Sequence, residues 1–163
     1  MPTRVPAGVD PALQRLFRDA DYRVRTHGGG SARLRIEQPL PTALRTLIGT
    51  RPWALLTAWN PLAQPASAAS NRAAQRALLA ALRGLPTPPV LRQAIGSGAG
   101  GWREPGFLVI GPDHASIDAL ARHFRQLAWV GGNGQTPARL HWLDWPADSR
   151  VDKPASDCGE SPG

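Results

Sequence analysis

One cysteine, one methionine and one tyrosine occur in 163 residues, and lysine is reduced to Lys153 beside 18 arginines. The lone Cys158 sits in a polar tail, which excludes a disulfide framework or a cysteine metal site within one chain and makes a poor nucleophile. No apolar run approaches the ~20 residues that span a bilayer, so no membrane partner is expected. The opening Met-Pro-Thr-Arg-Val-Pro lacks the apolar core of a signal peptide, and cytoplasmic residence is the expectation. No Gly-x-Ser-x-Gly elbow is present. His27, His114, His123 and His141 show no metal-ligand spacing and are read as lacking carboxylate companions at i±3 or i±4. Neither a metal nor a cofactor is expected.

What the chain does have is positive charge and enough apolar residues to bury a core. Hydrophobic residues make up 42% and charged residues 19%, the proportions of a globular domain. Residues 1–146 hold 17 arginines against 8 acids, while the remaining stretch is slightly acidic. The arginine bias, with abundant alanine, glycine and proline, is that of a GC-rich coding sequence. The surplus itself hints at a nucleic-acid or acidic partner. One domain over residues 1–146 is expected, with a disordered tail over 147–163.

The organising stretch runs from Trp53 to Leu85. Trp53 to Trp59 is almost wholly apolar, as in a strand covered on both faces, and Asn60-Pro61 stops it. Serine caps then open a helix from Ser67 or Ser70 to Arg83, ended by Gly84. A seven-residue step nearly closes two helical turns, so Asn71 shares one face with Leu78 and Leu85, and Leu82 lies beside them. Asn71 is therefore expected on the core side, and a buried asparagine needs partners. Asn60 and Thr57 are the ones at hand.

Around this centre, Asp10-Pro11 opens a short docking helix over 11–20 bearing Leu13, Leu16, Phe17 and Ala20. Residues 22–37 alternate as a hairpin about Gly28-Gly29-Gly30, with Tyr22, Val24, Leu34 and Ile36 on one face. Arg23, Arg25, Arg33 and Arg35 share the other, an anion or nucleic-acid surface if it binds anything. No aromatic is interleaved there to stack bases. Pro41 to Gly49 fits a short helix with a glycine C-cap. Pro88–Ile95 and Phe107–Gly111 read as strands joined by the glycine-rich loop Gly96-Ser-Gly-Ala-Gly-Gly, which leads through Trp102-Arg103-Glu104-Pro105-Gly106 to the second. That loop leads into a strand, not a helix, and lacks Gly-Lys-Ser/Thr, so it is no nucleotide cradle. Pro112-Asp113 opens a helix with Ile117, Leu120, Ala121 and Phe124 inward and an outer Asp118–Arg122 pair. A last strand pair spans Ala128–Gly131 and Ala138–Leu143. Trp53 and Trp59 are assigned to the core, and Trp102 to a pocket lid.

From Trp53 the order is strand, helix, strand, strand, helix, strand, strand. That order is α/β in composition (α+β in class): a ferredoxin-like split βαβ core over 53–143, an added N-terminal helix and hairpin over 10–37, and an extra C-terminal strand. Such sheets host many functions, and the fold alone assigns none.

Thr57-Ala-Trp-Asn60-Pro, Asn71 before a leucine-bearing helix, Gly96, Trp102-x-Glu104-Pro105 and Phe124-x-Gln126-x-Ala128, taken in order, resemble a bacterial family catalogued as domain of unknown function 3293. The resemblance extends over roughly residues 20–143, and Gly106 stands where a serine or another small residue is expected. It implies an architecture and no activity. It also marks Thr57, Asn60, Asn71, Trp102, Glu104 and Gln126 as a polar set at the end of the central strand. Three functions remain open. A ligand-binding or accessory module would use this set for a small polar ligand or a protein partner. A nucleic-acid- or ribosome-associated protein would use the arginine face. An enzyme would use Glu104 as its acid/base group. The alternative for the polar set is purely structural: asparagines that cap turns, Gln126 that caps a helix end, and Glu104 paired with Arg103.

Overall fold

A computed structural model of the chain describes residues 4–146; the expected tail over 147–163 lies outside them. Helix α1 (Pro11–Arg18) precedes a hairpin of β1 (Asp21–Arg25) and β2 (Ser31–Arg35), and α2 (Thr42–Ile48) leads to β3 (Pro52–Leu56). Then come α3 (Ala68–Arg83), the hairpin β4 (Val90–Ser97) and β5 (Arg103–Ile110), α4 (His114–His123), β6 (Ala128–Asn133) and β7 (Arg139–Trp142). The strands form one antiparallel sheet in the order β2-β1-β4-β5-β3-β6-β7. The class is therefore α+β. β3 sits inside the sheet between β5 and β6, and the N-terminal hairpin widens it by pairing β1 with β4.

Period-two alternation divides the core between the two faces. Trp53, Leu55, Leu108, Ile110 and Val130 pack with Leu44 and Ile48 of α2 on one side. Ala54, Leu56, Val109 and Trp129 pack with Leu78 and Leu82 of α3 and Ile117 and Ala121 of α4 on the other. Leu78 and Leu82 are fully buried, and each such side chain contributes about 1.5–3 kcal/mol over an exposed one. The helix ends follow the sequence signals. Asp10, Ser67 and Asp113 cap α1, α3 and α4 by accepting from Ala12, Ser70 and Ser116 amides. Gly49 closes α2 at φ 62°, a left-handed conformation that glycine adopts without a Cβ penalty.

Several boundaries differ from those read in the sequence. The central strand ends at Leu56 rather than Trp59, because the Thr57 hydroxyl takes the Trp59 amide at 3.1 Å and donates to Pro105 O at 2.8 Å. The β4–β5 hairpin is longer than expected: it pairs from Val90↔Ile110 to Ser97↔Arg103, so Arg103 to Gly106 is strand. The outer Asp118–Arg122 pair does not form. Asp118 accepts from Trp129 Nε1 at 2.6 Å, and Arg122 donates to Asp144 O at 2.8 Å. Asp118 also stands four residues after His114, so that histidine does have a carboxylate at i+4. His114 meets Trp129 edge-on at 4.9 Å, and His141 stacks on Trp129 at 3.9 Å. Even so, no three His, Cys, Asp or Glu side chains form a metal-holding group among the described residues. No helix there is long and apolar enough to cross a membrane.

Candidate ligand pocket

The extended β4–β5 hairpin is what brings Glu104 to the sheet. Glu104 pairs in register with Gly96 and Gly106 with Ala94, so three small residues lie together on two central strands. Where large side chains would fill the core, these leave space. A cavity of about 200 Å³ lies over them. Its floor includes Leu55, Ala94, Gly96, Gly106 and Val130, and Leu13, Leu16 and Phe17 of α1 roof it. None of the residues of α1 is fully buried; Leu13 and Phe17 pack against the cluster of Leu62, Leu127, Ala128 and Trp142 and also border the void. Phe17 is anchored edge-on against Trp142, with ring centroids 5.4 Å apart.

The glycines have separate roles. A Cβ on Gly96 would come within 3.0 Å of Trp102 and 3.1 Å of Tyr22, so the missing side chain lets these two rings converge. At Gly106 a Cβ would meet Leu56 O at 2.9 Å. The serine expected there would require β3 to shift.

Five of the six residues singled out in the sequence line the cavity: Thr57, Asn60, Trp102, Glu104 and Gln126. Asn71 does not. It lies behind them, 3% exposed, and holds Asn60 in place. The Asn60 amide donates to Asn71 Oδ1 at 2.9 Å, and Asn71 Nδ2 donates to Asn60 Oδ1 at 2.9 Å and to Ala66 O at 3.3 Å. Asn60 Oδ1 also accepts from the Ala66 amide at 3.1 Å. That leaves the Asn60 Nδ2 group to donate to Glu104 Oε1 at 2.8 Å. Glu104 is therefore not paired with Arg103. Thr57 turns toward the backbone of β5 instead of joining the asparagines. Gln126 Nε2 donates to Trp59 O at 3.2 Å and to Phe124 O at 3.1 Å, tying the end of α4 to the bend after β3.

Backbone strain gathers at the same place. Asn60, Leu62 and Ala63 take φ of 46°, 53° and 57°, and Arg125 takes 53°, each costing on the order of 1–3 kcal/mol. The Leu62 amide donates to Arg125 O at 2.6 Å, joining the two strained segments.

Burial raises the Glu104 carboxyl above its ordinary 4.5, against the opposing pull of the Asn60 and Trp102 side-chain donors. Burial, with the Glu104 charge nearby, also raises the Tyr22 phenol. Trp59 is half-buried and lines the cavity instead of sitting in the core; its Nε1 is buried without a partner. Sequence reading missed Tyr22, Trp59 and the α1 roof as pocket residues, and it missed Gln75, whose Oε1 accepts from the Ala58 amide at 3.0 Å. The inward position of Tyr22 in its hairpin was the signal available for one of them.

The arginine face is present but partly neutralised. Arg23 pairs with Arg33 across β1 and β2, and Asp21 with Arg35, so Asp21 shares the face with all four arginines. Asp21 accepts from Arg33 at 2.7 and 2.8 Å and approaches Arg35 at 3.3 Å. The Arg33 hydrogen bond holds the Asp21 carboxyl below its ordinary range.

The fold and cavity define a small α+β unit with a partly open, mostly apolar cavity and a bonded carboxylate in its wall. Residues 56–129, from the end of β3 to the start of β6, match the family described as Protein of unknown function (DUF3293). The matched stretch contains Thr57, Asn60, Asn71, Trp102, Glu104 and Gln126. No curated protein and no solved structure matches the chain.

Proposed function

We propose that this protein is a ligand-binding module whose ligand is a small molecule seated between α1 and the sheet. One observation carries the reading: an apolar cavity of about 200 Å³ with a bonded carboxylate and two side-chain amides among its lining residues. Ligand sites have this form, mostly apolar with a few convergent polar groups. An apolar cavity of ~150 Å³ accommodates benzene, so a single-ring compound with a short polar arm suits this volume. The strained bend at Asn60–Ala63 supports the same reading, since such strain collects at functional sites. No reaction is assigned to Glu104.

The test is a thermal-shift panel of small ring compounds with wild type and Ala94→Leu, a change that grows a side chain from the cavity floor. A binder of the folded state adds RT ln(1 + [L]/Kd), about 2.7 kcal/mol at a hundredfold excess. Stabilisation of wild type and none of a cooperatively melting Ala94→Leu is the expected result. A panel without any wild-type shift overturns the reading.

A second reading, nucleic-acid association, draws on Arg23, Arg25, Arg33 and Arg35 emerging from one hairpin face. It requires oligonucleotide affinity that falls steeply with salt and is lost when Arg23 and Arg25 become alanine.

A further inference from the structure

We propose that the ligand of the cavity is a small organic cation, an amine with an apolar ring or chain, its ammonium group held by Glu104 between the rings of Tyr22 and Trp102. The inference rests on the ligand-binding reading above and specifies its chemistry.

Charge is the first argument. Among the described residues, which hold 17 of the 18 arginines, no arginine or histidine lines the cavity. Glu104 is the carboxylate of the lining, and its bonded partners are neutral donors, Asn60 at 2.8 Å and the Trp102 side chain. A carboxylate drawn into an apolar wall without a cation is costly. An anionic ligand would worsen that imbalance, whereas an ammonium group would cancel it. The net surplus of arginine sharpens the point, because a guanidinium partner was the most available solution and the described lining does without one.

Geometry is the second. Glu104 pairs with Gly96 across β4 and β5, and Gly96 is where Tyr22 and Trp102 converge to within 3.1 and 3.0 Å of a would-be Cβ. The carboxylate and the two electron-rich ring systems thus border one point of the wall. Electron-rich rings beside a carboxylate suit an ammonium group. Leu13, Leu16 and Phe17 across the void would take the apolar body. Asn71 and Asn60 serve as positioning residues, since they fix the donor that orients Glu104.

The probes are phenethylamine, 2-phenylethanol and 3-phenylpropanoate, alike in ring and close in length but cationic, neutral and anionic. Binding to wild type and to Glu104→Gln is measured by ligand-observed NMR and calorimetry at pH 7.5, where the amine is charged. The amine is expected to bind wild type about tenfold tighter than the alcohol, with the acid weakest. Glu104→Gln should bring the amine down to the alcohol's level and leave the alcohol unchanged. Gln retains an oxygen for Asn60, and a thermal melt checks its fold; should it not fold, the wild-type ranking of the three probes decides alone. An alcohol or acid that binds wild type as well as the amine overturns the cation while leaving the pocket reading intact. No binding by any of the three overturns both.

Discussion

Asn60 and Asn71 bond to each other twice, main-chain amide to Oδ1 and Nδ2 to Oδ1, both at 2.9 Å. The reciprocal pair locks Asn60 at φ 46° and so fixes the direction of the amide that reaches Glu104. Position 71 does its work from one layer behind the cavity.

Replacing Asn71 with alanine should therefore orphan the Asn60 amide and release the bend. The expected cost is about 1–3 kcal/mol in urea-denaturation stability. Asn71→Asp retains an acceptor for the Asn60 amide but loses the donor to Asn60 Oδ1, so it should also destabilise. An Asn71→Ala protein as stable as wild type would show that the pair does not hold the bend.

Glu104 makes a pH prediction whose sign is fixed by its raised folded value. Between its ordinary 4.5 and the higher folded value, the folded state binds more protons than the unfolded one, so stability falls as pH rises through that interval. The carboxyl's destabilisation is complete above the folded value. Glu104→Gln should abolish this component and be no less stable than wild type at neutral pH. Denaturation midpoints of both proteins from pH 4 to 8, on the order of ten conditions, provide the check. A mutant curve parallel to wild type would contradict it.

His141 acts in the opposite sense. Burial, with the neighbouring His114 charge, lowers its value below the ordinary 6.5, although Asp118 and the Gly131 backbone pull upward. The unfolded state then binds the proton more readily. Stability from this group is present above 6.5 and is lost as pH falls through the lowered folded value. His141→Phe keeps a ring to stack on Trp129 and should remove that loss. The melt difference between pH 7 and 5 should shrink in the variant.

The elements that were legible in the sequence are those whose signal is local. The stripe of Asn71, Leu78 and Leu82 gave α3 and its buried face, and alternation about the triple glycine gave the β1–β2 hairpin. Arg103 to Gly106 was misread because glycine and proline signify a connection locally, while an eight-pair antiparallel ladder with β4 overrides that propensity. The polar set was recognisable from its residues, but the cavity was not. Its floor depends on Ala94, Gly96 and Gly106 becoming neighbours across two strands, and its roof on a helix more than 70 positions earlier in the sequence. The Asp118–Arg122 expectation failed because helical spacing cannot register the competing indole of Trp129.

Asp21 decides how the arginine face should behave. It joins Arg33 and Arg35 at the surface, where solvent screening leaves an ion pair little net effect on stability. Asp21→Asn should thus change stability little. It should nevertheless raise the local positive charge, freeing Arg33 and Arg35 to meet phosphate beside Arg23 and Arg25. If the face associates with nucleic acid, the variant should bind a short RNA more tightly than wild type, with a steeper salt dependence. Fluorescence anisotropy across a salt series reads both quantities. Equal, salt-insensitive anisotropy for the two proteins would mean that the four arginines are a solvated strand face, and the cavity would stand as the functional surface without a competitor.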